Sequence, residues 1–276
     1  MANADDAKEH LTVIHDFMAG KQDREARRIT RDLSARLDPI RLTQALAAAL
    51  PHVPKDAESG NHMVGVVFTA EHVLVVASSG LTMIVCKVAA IDGARVTGDV
   101  LADSIILTPT MASQLMGFAG LTPKESWDPE VEVTVTGTGP EKIRIRATDR
   151  TGLFAGKSIT LPAAEPTEEL ARAVHVLESM AAQNPRSTRT TVVPADRLKA
   201  FLDSAKKYGG EIEIEEITAA LWRVSCGKYF YGLATNPVAP TDEKEKMLTA
   251  DTRRQTRLQW SDDLTGVGQE LVKGFR

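Results

Sequence analysis

The residues of this chain that could do chemistry are mostly charged, and the chemistry they suggest is binding. Glu211, Glu213, Glu215 and Glu216 crowd one short segment. They would hold a cation if another strand supplied oxygens; taken alone, they read as the exposed face of a strand. Asp103 and Asp149 have the type of a general acid, but nothing in the sequence places a partner near either. His10 and His15 lie five apart, off a common helical face. His52, His62 and His72 fall in or beside loops, so they read as lone surface histidines rather than a ligand set. Cys86 and Cys226 each fall inside a strand and read as two buried thiols in a reducing compartment. The chain has no Gly-rich phosphate loop, no paired-Cys zinc spacing and no nucleophile elbow. The expectation is no catalytic residue, no metal and no cofactor: not an enzyme. The most basic stretch, residues 22–36, sets Arg24, Arg27, Arg28, Arg31 and Arg36 against Asp23, Glu25 and Asp32. It is either a solvated helix face or a contact for phosphate or a partner.

Bulk composition narrows the classes further. The 276 residues are 43% hydrophobic and 25% charged, which is ordinary for one large or two smaller globular domains. A net charge of −4 and a pI near 5.9 disfavour a uniformly basic nucleic-acid binder but leave room for a local basic face. No apolar run approaches the roughly 20 residues of a spanning helix. The start Met1-Ala-Asn-Ala-Asp-Asp lacks a basic end and an apolar core, so no signal peptide is read there. A cytoplasmic protein with no membrane partner is expected.

The elements that must position these residues recur. A short apolar strand runs into a helix opened by proline three times. The copies are Leu33-Ser-Ala-Arg-Leu-Asp-Pro39, Asp103-Ser-Ile-Ile-Leu-Thr-Pro109 and Arg189-Thr-Thr-Val-Val-Pro194. Proline suits the first helical position, where its missing N–H is not needed. Asp38 and Thr108 are placed to cap the helices they precede. The first helix buries Leu42, Ala45, Leu46 and Ala49, at spacings of three and four. The second buries Met111, Leu115 and Phe118, and the third Leu198, Phe201, Leu202 and Ala205. Alternating strands follow each helix: residues 64–69, 73–77 and 81–88, then 131–136, 143–146 and 151–160, then 211–215, 222–226 and 229–235. Residues 73–77 are apolar nearly throughout, which fits a strand covered on both faces. The hairpin over 131–146 sets Glu132, Thr134 and Thr136 on one strand beside Lys142, Arg144 and Arg146 on the next. The fold class is therefore α+β, built of repeated β-α-β-β-β units: antiparallel sheets with helices on one face.

Flanking segments complete the division. Residues 1–32 form an N-terminal helical extension, with Leu11, Ile14 and Met18 on one face, and residues 33–162 hold two units. Residues 163–187 are a linker helix with Leu170, Val174 and Leu177 on one face. Residues 188–238 are a third unit, and 239–276 a charged C-terminal tail with one helix at most, acting as a docking segment.

This order of elements resembles the DNA sliding clamp, the bacterial processivity factor of replicative polymerases. Val64-Gly-Val-Val-Phe68 followed by Val73-Leu-Val-Val-Ala77-Ser78-Ser79 looks like the clamp pattern in which an apolar strand ends in Ala-Thr-Asp. Ile143-Arg-Ile-Arg-Ala147-Thr148-Asp149 carries that tripeptide outright. The resemblance covers roughly residues 33–236. It implies a homo-oligomeric ring or ring segment on duplex DNA, with helices toward the phosphates and no reading of sequence. Its partners would be DNA polymerase or other replication proteins. The DNA-contacting residues it implies are Arg41, Arg197, Lys199, Lys206 and Lys207; the same residues also suit ordinary solvated helix positions. The sequence departs from the clamp pattern in two ways. The helix over residues 110–120 has no basic residue, and three units make one and a half clamp domains, so either a degenerate fourth unit lies in residues 241–276 or the protein is a divergent clamp-like one that closes differently or not at all. The alternative is a clamp-fold interaction or regulatory module that does not encircle DNA. A parallel sheet, or helices on both faces, would count against the clamp resemblance.

Overall fold

The computed structural model describes residues 30–54, 62–121, 129–138, 142–152, 156–183, 195–218, 221–235 and 250–274. The first unit runs β1 (Thr30–Leu37), α1 (Pro39–Ala49), β2 (Val64–Phe68), β3 (His72–Ser78) and β4 (Thr82–Arg95). The second runs β5 (Ser104–Leu107), α2 (Pro109–Gly120), β6 (Val131–Thr138), β7 (Arg144–Asp149) and β8 (Ser158–Pro162). Then come α3 (Glu168–Ala181), α4 (Ala195–Tyr208), β9 (Glu213–Thr218), β10 (Leu221–Cys226) and β11 (Phe230–Thr235). The chain continues with α5 (Ala250–Leu264) and α6 (Val267–Gly274). The expected first strand of the third unit and the expected helix near residues 8–17 lie outside the described residues. β1 occupies the end of the basic stretch that the sequence suggests as helix.

The helix starts follow the local chemistry. Asp38 Oδ1 accepts from the Ile40 and Arg41 amides at 2.7 and 3.3 Å, and Thr108 Oγ1 accepts from the Met111 amide at 3.3 Å. Each is followed by proline at the first helical position.

All strand pairs are antiparallel. One sheet runs β5-β2-β3-β4-β11-β10-β9. The other runs β1-β6-β7-β8 and begins on the far end of β4. β4 serves both because it bulges: Ala35 pairs with Ala94 and Arg36 with Ile91, leaving Asp92 and Gly93 unpaired, both at positive φ. A bridge between Ile106 and Ala164 ties β5 to the chain just beyond β8, so the two sheets also meet on their other side. Their inward faces and the apolar sides of α1, α2 and α4 share one core.

The helices of the three units lie on one side of the first sheet. The other side is also covered: α3, α5 and α6 pack Leu170, Val174, Leu177, Trp260, Leu264 and Leu271 on Val67, Leu74, Val76, Val85, Tyr231 and Leu233. Helices on one face thus describes the repeats, not the whole chain, and the second layer, which comes from α3, α5 and α6 outside the repeats, counts against the clamp resemblance and leaves it resting on the repeats alone. The cause is in β2 and β3, which are apolar on both faces and must be covered on both. Residues 250–274, expected as a charged tail with one helix at most, are two helices. They contain no strand, so they build no fourth unit. Tail-like composition misled because few apolar residues do the docking. Lys87 pairs with Asp263, and the Glu178 carboxylate accepts from the Gly266 and Gln269 amides at 2.7 and 3.2 Å, at the start of α6.

Within α4 the buried residues are Phe201, Ser204 and Ala205, while Leu202 is exposed and Leu198 half-buried. Gly232 of β11 is where α4 and β4 come closest to the strand. A Cβ there would lie 2.5 Å from the Met83 carbonyl oxygen and against the Phe201 ring. Gly232→Ala should destabilise by about 1–3 kcal/mol through overpacking. A denaturant midpoint unchanged by the substitution would mean β11 can shift away from β4.

Candidate nucleic-acid interface

The helix layer is the surface on which the clamp resemblance implies DNA contacts. α1 lies in its middle, packed against both α2 and α4. The five expected contacts fall on α1 and α4, at the third unit's side of the layer, and α2 adds no base.

Arg41, in the first turn of α1, is half-buried. Its Nη1 donates to Gln44 Oε1 at 3.1 Å and its guanidinium stands 4.8 Å from the centroid of Tyr229. The ring holds it in place by cation–π attraction. Arg197 is turned toward the sheet, donating to the Thr235 carbonyl and, at 3.2 Å, to Thr235 Oγ1. Lys199 and Lys206 are exposed and share one acid: Lys199 pairs with Asp203, and Lys206 Nζ lies 3.1 Å from it. Hydrogen bonds from the two ammoniums hold the Asp203 carboxyl below the usual carboxylate range. Lys207 is exposed in the last turn. Of the five, three project outward and two are engaged by the fold.

Between the start of α1 and the end of α2 lies an apolar hollow of about 220 Å³, lined by Pro39, Ile40, Thr43, Ala119, Gly120 and Pro129 among others. None of the described residues that line it carries a formal charge.

A second cluster joins α1 to α4 and was not legible as such. His52, expected at the surface, is fully buried just after α1. Its Nδ1 is 2.9 Å from Thr82 Oγ1 and its Nε2 is 3.1 Å from Ser204 Oγ. Ser204 Oγ also lies 2.6 Å from the Ala48 carbonyl, to which it donates. The imidazole is therefore neutral, with Nε2–H donating to Ser204 and Nδ1 accepting from Thr82. Burial pushes its pKa down to about 3. A serine beside a histidine resembles a nucleophile and base, but among the described residues no carboxylate contacts this ring, and both side chains are buried. The cluster pins the first unit to the third.

Other expectations on single residues resolve similarly. Asp103 is buried and accepts from the Thr97 amide, the Thr97 hydroxyl and the Gly98 amide at 2.8, 2.7 and 2.9 Å, so it shapes the loop between β4 and β5. Arg31, from the basic stretch, is buried and lies 3.4 Å from Glu165 rather than on a free face. Glu215 is not on an exposed face but in a buried pair with Arg223 at 2.7 Å. Cys86 and Cys226 are free and buried, and burial pushes the Cys86 thiol up to about 12. Among the described residues no group of three His, Cys, Asp or Glu is placed to hold a metal, and no helix is long and apolar enough to cross a membrane.

The fold is thus an α+β assembly of β-α-β-β-β units on antiparallel sheet. Solved structures similar to the chain are bacterial sliding clamps. The sliding clamp (DNA polymerase III subunit beta) from Pseudomonas aeruginosa is 13% identical, with 80% of this chain and 67% of that chain covered and a TM-score of 0.47. The beta subunit from Streptococcus pyogenes is 11% identical over 79% and 66% of the two chains, with a TM-score of 0.46. That from Thermotoga maritima is 9% identical over 78% and 66%, at 0.45. The chain spans about two thirds of the length of the clamps it matches. No protein-family model and no curated protein sequence matches it.

Proposed function

We propose that the protein is a clamp-like, non-enzymatic factor of DNA replication or repair. It contacts duplex DNA through phosphates, without reading sequence, and docks polymerase or other replication proteins in the cytoplasm. Residues 33–162 act as one clamp-like domain and 188–238 as half of another, and copies of the chain associate to complete the assembly. The observation that carries the reading is the helix layer itself. α1 lies between α2 and α4, and β11 continues the sheet of β4, so the strands that follow α4 join those of the first unit. Arg41, Lys199, Lys206 and Lys207 supply its positive charge, with Arg197 behind them.

A second reading, a clamp-fold module that regulates or sequesters a protein partner without encircling DNA, is favoured by two observations. α2 has no basic residue, and Lys199 and Lys206 share Asp203. Light scattering with and without a nicked circular duplex separates the two. An oligomer retained on the circle and lost on linearisation is the expected result. A monomer or small dimer indifferent to the circle would transfer the function to the second reading.

A further inference from the structure

Among the described residues, no helix covers the outward side of β6, β7 and β8. Along β7, Arg144 and Arg146 point outward while Ile145 and Ala147 are buried. The sequence pattern suggests acids beside these bases, but the register does not. Arg144 sits opposite Thr136 of β6 and Pro162 of β8. Arg146 sits opposite Thr134 and Thr160. The acid of β6, Glu132, sits opposite Thr148 and is taken by Arg150, whose Nε donates to it at 2.7 Å. On β1, the neighbour of β6, Asp32 is taken by Arg95 at 2.6 Å. Arg144 donates to the Ile143 carbonyl at 3.0 Å and Arg146 to Ser158 Oγ at 3.2 Å. Neither makes an ion pair among the described residues. Lys142 and Lys157, both exposed, stand just before β7 and β8. The result is two uncompensated guanidiniums in a field of hydroxyls, on a chain whose net charge is −4.

We propose that this face of β6–β8 is a second nucleic-acid surface, which binds the sugar-phosphate backbone and is separate from the helix layer. Guanidiniums grip phosphate oxygens in bidentate fashion, and threonine and serine hydroxyls add neutral donors. Arg144 and Arg146, two residues apart on one strand, are about 7 Å from each other along β7 and so can take separate phosphates. The outward positions of β6–β8 hold no aromatic ring for stacking and no amide for reading base edges, so binding is indifferent to sequence. Guanidiniums among hydroxyls, with no large apolar side chain at the outward positions of β6–β8, favour a nucleic-acid backbone over an acidic peptide, which would need apolar pockets for its side chains.

The test is fluorescence anisotropy of a labelled random-sequence duplex with the full chain, from 50 to 200 mM salt. The variants are Arg144→Gln/Arg146→Gln, the lysine counterpart Arg144→Lys/Arg146→Lys, and Lys199→Gln/Lys206→Gln on α4. The glutamine pair on β7 should weaken binding at low salt by about tenfold or more. It should also make the slope of log K against log salt shallower by roughly two. The lysine pair should keep the slope and lose part of the affinity. All four side chains are exposed, so an unchanged thermal midpoint certifies folding. Wild-type affinity in the β7 glutamine pair, or no binding of the duplex by the wild type at low salt, would overturn the proposal. So would a polyglutamate competitor that displaces DNA at equal charge concentration. Loss in the α4 variant alone would leave the helix-layer reading standing and remove this one.

Discussion

Arg223→Met should lower the unfolding free energy by about 3–5 kcal/mol, the cost of leaving a buried charge unpaired. Arg223 and Glu215 are both buried, with side chains 2% and 8% exposed. Arg223 Nε donates to Glu215 Oε2 at 2.8 Å and Nη2 lies 2.7 Å from the same oxygen. The remaining nitrogen caps a helix. Nη1 donates to the carbonyls of Met180, Ala181 and Gln183 at 3.2, 3.2 and 3.0 Å, at the C-terminal end of α3. One side chain on β10 thus neutralises β9 and terminates the helix that covers the sheet. Removing it leaves Glu215 without its countercharge and the end of α3 without donors. Glu215→Gln should cost less, because the guanidinium keeps its three carbonyls. Urea denaturation of both variants gives the comparison. Equal losses would show that the carbonyl contacts contribute nothing, and a loss under 1 kcal/mol in Arg223→Met would show that water reaches the pair.

Stability should fall on mild acidification, with His52 as the cause. The group sits at about 3 in the folded chain and near 6.5 in the unfolded one. Its folded pKa is depressed, so its contribution is fully present above pH 6.5. It is lost progressively as pH falls from 6.5 toward 3, because only the unfolded chain takes up the proton. The slope in that window is about 1.4 kcal/mol per pH unit, so a shift from pH 7 to pH 5 should cost about 2 kcal/mol. Carboxylates also titrate below pH 5, which makes the comparison with His52→Gln the informative one. The variant should start less stable, since Thr82 and Ser204 lose their imidazole partner, and it should lack this loss between pH 7 and 5. Parallel pH curves for the two proteins would show that the ring is open to solvent and that the joint between α1 and α4 is loose. The same readout locates the joint: residue 52 lies 152 positions from Ser204.

Much of the fold was legible locally. Asp38-Pro39 and Thr108-Pro109 announced two helices, and the structure puts Asp38 and Thr108 at their caps. Two-residue alternation gave β6 and β7 with the correct buried set, Val131, Val133, Val135, Ile143 and Ile145. The continuous apolar run of β3 already fitted a strand covered on both faces. The candidate site was less legible. Arg41 and Arg197 have the right type and helical position, yet one is held against Tyr229 and the other is bonded to Thr235. Leu202 was expected inside and Ser204 holds the buried place instead, because the interior of α4 meets a buried histidine as well as an apolar wall.

By itself, then, the sequence determined most elements of the repeats, their order, the caps Asp38 and Thr108 and which strand faces are apolar. Those properties depend on neighbours within a turn or two, where spacing and side-chain type act directly. The tertiary structure alone decided what meets each face. It brought α5 and α6 onto the far side of the first sheet through Trp260, Leu264 and Leu271. It set Arg144 and Arg146 opposite threonines rather than acids through the register of β6 with β7. It also spent Arg31 and Arg223 in the interior. A charge has the same local signature whether it meets water, an acid or a phosphate. Which of these it meets is fixed by chain segments tens to more than a hundred residues away.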